Sequence, residues 1–235
     1  YAASQLRRPT GRHRLAAAGL LAAIGMASGM GILVCSFEGT LTGWIGNVLR
    51  ADLYVSAGAQ GRPNDTSRIL SETWRNLAAD PDLACYDVIR DHPAGFEGRE
   101  VRCAGVSYNM KNGHGLKMTW LQAPADARPG ALERAIEGEP VPIWVNEAFS
   151  RKFRRGTGDA IAIDTPAGSK PLRIEAVYAD YSDEAGTVLV GRRHSASWFS
   201  DDAVSTLAAY VKEGVKPEEV MARWAEKYPA LSVRE

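Results

Sequence analysis

Cysteine is scarce in this 235-residue chain, with three residues in all and no CxxC pair, and the four histidines (His13, His92, His114, His194) are scattered without an HExxH. A metal centre needs several such ligands at short spacing, so the sequence offers none. G-x-S-x-G, Walker and G-x-G-x-x-G loops are missing too. With them go the usual local scaffolds of nucleophilic hydrolysis, direct ATP binding and NAD chemistry, so neither catalytic residues nor a cofactor are expected. Surplus charge is absent: 28 basic residues balance 28 acidic ones, which gives no chain-wide reason for binding nucleic acid. Repeats, Gly/Ser linkers and long charge blocks are lacking as well, and 45% hydrophobic against 24% charged residues excludes a disordered or disulfide-dense chain.

A further absence is local. From Leu15 to Phe37 no Asp, Glu, Lys, Arg or His occurs, and 23 helical residues at about 1.5 Å each exceed a hydrocarbon core of roughly 30 Å. The apolar region of a cleaved signal peptide (about 7 to 15 residues) and a buried helix of a soluble domain (about 8 to 20) are both shorter than this run. The preceding segment carries Arg7, Arg8, Arg12 and Arg14 with no acid, the following one begins with Glu38, and the remainder of the chain is net −4. The bias of basic residues toward the cytoplasm then predicts residues 1–14 inside, 15–50 as a transmembrane helix and stalk, and 51–235 outside, extracytoplasmic or periplasmic, from an inner membrane.

The span is poor in large apolar side chains. Leu15, Leu20, Leu21, Ile24, Ile32, Leu33, Val34 and Phe37 supply only about −3 kcal/mol of insertion energy at roughly −0.3 to −0.6 kcal/mol each, which is marginal for a helix alone in lipid. Ala18, Ala22, Gly25 and Gly29 recur on one face, the small-residue surface that lets another helix backbone approach. A packed bundle is therefore favoured over a lone anchor. Beyond the bilayer Leu41, Trp44, Ile45, Val48 and Leu49 form one helical stripe, a stalk reaching Arg50, with Gly39 or Gly43 a candidate hinge.

The outer part reads as two strand, helix, strand halves around a β-rich middle. In 51–110, the run Ala51–Ser56 predicts a strand, Ser71 caps a helix carrying Trp74, Leu77 and Ala78, and Ala84–Arg90 and Glu100–Val106 are strands separated by His92-Pro-Ala-Gly95. In 195–235, a strand over Ala203–Val211 precedes a helix opened by Pro217 with Val220, Trp224 and Tyr228 inward, then a strand over Leu231–Arg234. Together they predict an α+β fold: a split βαβ lobe of ferredoxin-like type with 111–194 inserted. In the insert, Pro142–Val145 is a strand, Asn146 caps a helix with Ala148, Phe149 and Phe153 inward and Gly156 past its end, and Pro166-Ala-Gly168 turns a hairpin between Asp159–Asp164 and Leu172–Tyr178. Thr187–Val190 adds a strand.

Cys85 and Cys103 lie on successive predicted strands and can form a disulfide if they are cross-strand neighbours outside the cytoplasm; two separate buried thiols are the alternative. Asp180, Asp183 and Glu184 beside Tyr178 and Tyr181 fit a solvated turn better than a calcium loop. Arg151, Lys152, Arg154 and Arg155 crowd a helix C-terminus, where cations are favourable against the helix dipole, with anionic headgroups as the other use.

Ser36-Phe37-Glu38-Gly-Thr-Leu41 leading through Trp44-Ile45 into Leu49-Arg-Ala-Asp-Leu-Tyr-Val55 resembles the start of an outer domain in FtsX-like and MacB-like permease subunits of ABC transporters. Val145-Asn-Glu-Ala-Phe149, Gly158-Asp-Ala-Ile161, Thr165-Pro-Ala-Gly168, Val177-Tyr-Ala-Asp-Tyr181 and Gly186-Thr-Val-Leu189 are similar in order and spacing to that family's periplasmic core domain. The resemblance implies a non-enzymatic permease component that transmits ATP-driven motion from a partner ATPase to the outer domain, for transport or extraction of lipids, lipoproteins or amphiphiles. Its implied partners are that ATPase, further membrane helices in a dimeric assembly, and lipid, with no nucleic acid. The competing reading is a single-pass, membrane-anchored sensor or ligand-binding domain.

Overall fold

A computed structural model of the chain describes residues 11–48, 50–57, 68–107, 118–125, 130–134, 138–180 and 183–234, except for the side chains of 44–48. It divides into two units, residues 1–48 and 49–235. Among its described residues the first contains one helix, α1, Gly11–Val48, whose 38 residues reach about 57 Å. Its course through Gly39 and Gly43 is unbroken, so neither glycine marks an interruption. A helical glycine costs about 1 kcal/mol against Ala but keeps its N–H in the ladder.

The second unit holds one ten-stranded sheet with helices against it. Its elements are β1 (Leu53–Ala57), α2 (Ser71–Ala78), β2 (Leu83–Phe96), β3 (Arg99–Ser107), β4 (Trp120–Gln122), a 3₁₀ turn (Ala131–Glu133), β5 (Val141–Asn146) and α3 (Glu147–Phe153). Then come β6 (Ala160–Thr165), β7 (Gly168–Tyr178), β8 (Thr187–Gly191), α4 (Arg192–Phe199), β9 (Thr206–Val211), α5 (Pro217–Lys227) and β10 (Leu231–Arg234). Strands β10, β1, β9 and β2 lie in that order, each antiparallel to the next. β1 and β2 are thus parallel with β9 between them, and α2 joins them; β9 and β10 are parallel around β1, and α5 joins those. This is the ferredoxin-like split βαβ arrangement. Its core is Leu53, Val55, Leu207 and Ala209 from the sheet against Trp74 and Leu77 of α2 and Val220 and Trp224 of α5.

Beyond β2 the sheet continues through β3, β8, β5 and β7 to β4, and β6 pairs along β7 and meets β2 at Gly95–Asp164. Strands β2, β3, β8, β5, β7 and β6 therefore close into a ring. Every one of them sends alternate apolar side chains into it, including Phe96, Cys103, Ile143, Ile163, Ile174 and Val190. Gly95 is needed at the closure because a Cβ there would already touch Asp164 Cβ at 3.3 Å.

Several local expectations are corrected. β2 runs straight through His92–Gly95, and the chain reverses at Glu97-Gly98, where φ is 49° and 72°, as a tight two-residue hairpin requires. Pro93 is tolerated because its partner Arg102 donates its N–H to Gly186 O on the far side (2.9 Å). The Pro93–Arg102 pair is thus a non-hydrogen-bonded one that needs no N–H from proline. Ser71 is not a cap: Ile69 exchanges backbone hydrogen bonds with Val204 (2.8 and 3.0 Å), which leaves Leu70 as the extended residue before the helix. Gly156 lies past the end of α3, but the left-handed residue that closes the helix is Arg154, at φ 55°, where Ser150 secures the turn by donating Oγ–H to Arg155 O (2.7 Å). Cys85 sits opposite Tyr210 and Cys103 opposite His92. Seven residues of strand, roughly 23 Å, separate the two, and both are free thiols. The bridge is ruled out by register.

Asn146 does cap α3. Its fully buried side chain accepts hydrogen bonds from Phe149 N and Thr187 N (both 2.9 Å) and donates to Asp183 O (3.1 Å). Asn146→Ala leaves two buried N–H groups without an acceptor and is expected to lower stability by about 2 kcal/mol. Chemical denaturation of the purified chain checks this, with Asn146→Asp, which keeps the acceptors, costing less.

Candidate functional site

The helix α1 is the first candidate. Its segment Gly11–Gly43 is long and apolar enough to cross a membrane. Leu15, Leu20, Leu21, Ile24, Ile32, Leu33, Val34 and Phe37 are all exposed, from 53% to 79%. Ala18, Ala22, Gly25 and Gly29 lie within about 60° of one another at 100° per residue, and a Cβ added at Gly25 or Gly29 meets nothing within 4 Å. In that stretch the Thr40 hydroxyl donates to Ser36 O (2.8 Å), a back-bond that satisfies a polar group within the helix. Leu41 of the stalk stripe is exposed. Trp44, Ile45 and Val48 lie on the helix with side chains outside the described residues, and Leu49, Tyr181 and His114 lie outside them altogether.

The second candidate is a charged seam that the sequence did not disclose, at the C-terminal end of α4. Arg90 projects from β2 on the same face as Val88 and His92, and its Nε and Nη2 donate to Asp201 Oδ2 (3.0 and 2.8 Å). Arg192, at the start of α4, donates to Asp202 Oδ1 and to Asp202 O (2.7 and 2.6 Å) while stacking over Trp74 at 4.8 Å. The Trp74 indole donates to Asp202 O (2.9 Å), and Arg75 pairs with the Asp202 carboxylate. Two adjacent aspartates thus tie α2, β2 and α4 together. Burial pushes the Asp201 carboxyl up, but the Ala203 N–H and the Arg90 guanidinium outweigh it and hold the group below its usual range. The pairs span up to 128 positions in sequence; the sole local signal was an arginine at an inward strand position.

The acidic turn is not a free carboxylate cluster. Asp180, Asp183 and Asp91 surround Arg102 at 3.9, 3.3 and 3.9 Å, and Arg102 Nε also donates to Thr187 Oγ1 (3.1 Å). Burial raises the Asp91 carboxyl despite Arg102 and Arg90. Among the described residues no group of His, Cys, Asp or Glu has the arrangement of a metal site. The basic cluster is dispersed: Arg151 pairs with Glu147, Arg155 with Glu97, and Lys152 donates to Ala185 O. The Cys103 thiol, buried first by its surroundings and then disfavoured as thiolate by Asp91, is pushed up to about 12, which makes it inert. A shallow, solvent-open cleft of about 440 Å³ lies between the two hairpin turns, lined by Pro93, Arg99, Asp164 and Thr165 among others.

No family model matches the chain. It is 26% identical over 212 residues to an uncharacterised ABC transporter permease protein of Mycobacterium tuberculosis, covering 88% of the chain and 24% of that relative, so it spans about a quarter of the relative's length. In structure it is similar to the periplasmic region of MacB from Actinobacillus actinomycetemcomitans (TM-score 0.55, 9% identity, 81% of this chain and 91% of that one). It is also similar to the extracellular domain of the noncanonic ABC-type transporter YknZ from Gram-positive bacteria (TM-score 0.52, 9% identity, 78% and 99%). The ferredoxin-like lobe, the closed ring and the apolar N-terminal helix meet in one chain that is similar in sequence to an ABC transporter permease and has the fold of the MacB and YknZ outer domains.

Proposed function

We propose that the chain is part of an ABC transporter permease, with α1 as one helix of a membrane bundle, residues 51–235 outside an inner membrane, and a separate ATPase as the source of motion. The observation that carries this reading is the exposed stretch Leu15–Phe37 of α1, which has no charged residue and carries the small-residue face, joined in sequence to a domain of MacB and YknZ fold. Such a face reaches close backbone contact only against another helix. A helix of 38 residues resists bending, and so it can pass a tilt imposed on one end to the other. The outer domain then moves lipids, lipoproteins or other amphiphiles mechanically, without chemistry of its own, in a dimeric permease.

The test is Gly25→Leu together with Gly29→Leu in membranes carrying the partner ATPase. Two leucines on the packing face hold the helices apart without reducing apolarity. Membrane insertion is expected to be unchanged and ATP-driven transport to fall at least tenfold. Transport at the unmodified rate in the double variant sinks close helix packing, and an active protein with α1 as its single span favours an anchored sensor instead.

A further inference from the structure

His92 points into the ring from β2, opposite Cys103 of β3, and is 7% exposed. Its imidazole lies flat on Phe199, the last residue of α4, with ring centroids 4.1 Å apart and planes 2° from parallel. Its Nε2 is buried without a hydrogen-bond partner. The charged groups facing it come from three elements: Arg90 on its own strand, Arg192 on α4, and Asp201 just beyond α4. The Cys103 thiol faces it from β3, while His194 of α4 leans on Trp198 instead. Asp201 has little left to offer a new cation, since its Oδ2 accepts both Arg90 nitrogens and its Oδ1 accepts Ala203 N–H (3.0 Å). A proton on His92 would add a positive charge beside two arginines whose carboxylates, Asp201 and Asp202, are already committed to them, in a site with little water to screen it.

We infer that the His92–Phe199 stack is an acid-sensitive latch that holds α4 on the ring, and that protonation of His92 releases the last turn of α4 and the Ser200–Ser205 segment. That end of α4 is also held by Ser195 against Gly105 one turn earlier, by Trp198 in the ring core and by Asp201 and Asp202 on Arg90 and Arg192 just past it; the His92–Phe199 stack is the one of these contacts that gains a charge when His92 takes a proton. Asp202, just past the latch, is where α2 is tied by Trp74 and Arg75, so opening also loosens those two contacts while Trp74 and Leu77 keep α2 on the split βαβ core.

The sign follows from linkage. Burial first, then Arg90 and Arg192, lower His92 to about 4 against Asp201, which opposes them. The folded state therefore keeps the ring neutral where an unfolded or opened segment takes a proton near 6.5. The latch is fully closed above about pH 6.5 and weakens as pH falls toward 4, by about tenfold per pH unit for one proton. Asp201 is lowered and stays ionised across this window, and Asp91 is raised, so its protonation favours the folded state and opposes the effect.

Hydrogen exchange by mass spectrometry on the 235-residue chain in lipid nanodiscs, at pH 7.5 and 5.0 and corrected for intrinsic rates, tests the latch. Amides of 196–205 are expected to open at least about tenfold more often at pH 5.0, with β8 unchanged, and His92→Gln should remove the difference. Unchanged protection in the wild type overturns the inference, as does an equal pH effect in His92→Gln. Should that variant fail to fold, the ring resonances of His92 in the wild type decide. Titration below pH 5 in step with the opening supports the latch, and an ordinary midpoint near 6.5 overturns it.

Discussion

Gly105→Ala is expected to destabilise the domain of residues 49–235 by about 3 kcal/mol, read as a lower urea midpoint of tryptophan fluorescence for the detergent-solubilised chain. The added Cβ would stand 1.8 Å from Ser195 Oγ and 2.7 Å from Ser195 Cβ, with the Arg192 Cα at 3.7 Å. The hydroxyl can rotate away, but the Cβ is fixed to α4, so the helix must lift from β3. Overpacking of this kind costs about 1–3 kcal/mol or more, and here it also strains the Arg192–Asp202 contacts at the start of the same helix. Ser195→Gly in the same chain removes the obstructing Cβ at about 1 kcal/mol of helix propensity. The double variant should therefore be more stable than Gly105→Ala alone; strictly additive losses would show that the contact is not what makes Gly105 necessary.

Asp201→Ala is expected to cost as much or more, about 3–5 kcal/mol, because it leaves the buried Arg90 guanidinium without its carboxylate. The Coulomb attraction of the pair is not the reason. Desolvating two charges cancels most of it, so Arg90→Met combined with Asp201→Ala should recover the greater part of the loss. A thermal-unfolding series of the two single variants and the double one checks this. A double variant no more stable than Asp201→Ala would refute the assignment of the cost to an orphaned charge.

Where the pattern was local, the sequence was legible. Leu15–Phe37 lacks charge over a stretch longer than any soluble helix needs, so α1 was visible as composition alone. Pro217 with Glu218 and Glu219 announced α5, Asn146 announced α3, and Pro166-Ala-Gly168 announced the β6–β7 hairpin, each through the chemistry of a few adjacent residues. His92-Pro-Ala-Gly95 misled for the same reason. Its residues are turn formers taken by themselves, but Pro93 falls at a ladder position that asks no N–H of it, a fact of pairing rather than of sequence. The seam was invisible because Arg90, Arg192, Asp201 and Asp202 become neighbours only once β2, α2 and α4 are packed.

From residue order alone came the helix long and apolar enough to cross a membrane, the α+β class with its two βαβ halves, and the likeness to transporter permeases, since these depend on side-chain period, chargeless length and short motifs. Tertiary structure decided the ring closed at Gly95–Asp164, the separation of Cys85 from Cys103, and the placing of His92 beneath Phe199. Each of these is set by strand register, and register is fixed by which hydrophobic faces meet across the sheet, an energy that no single segment holds by itself.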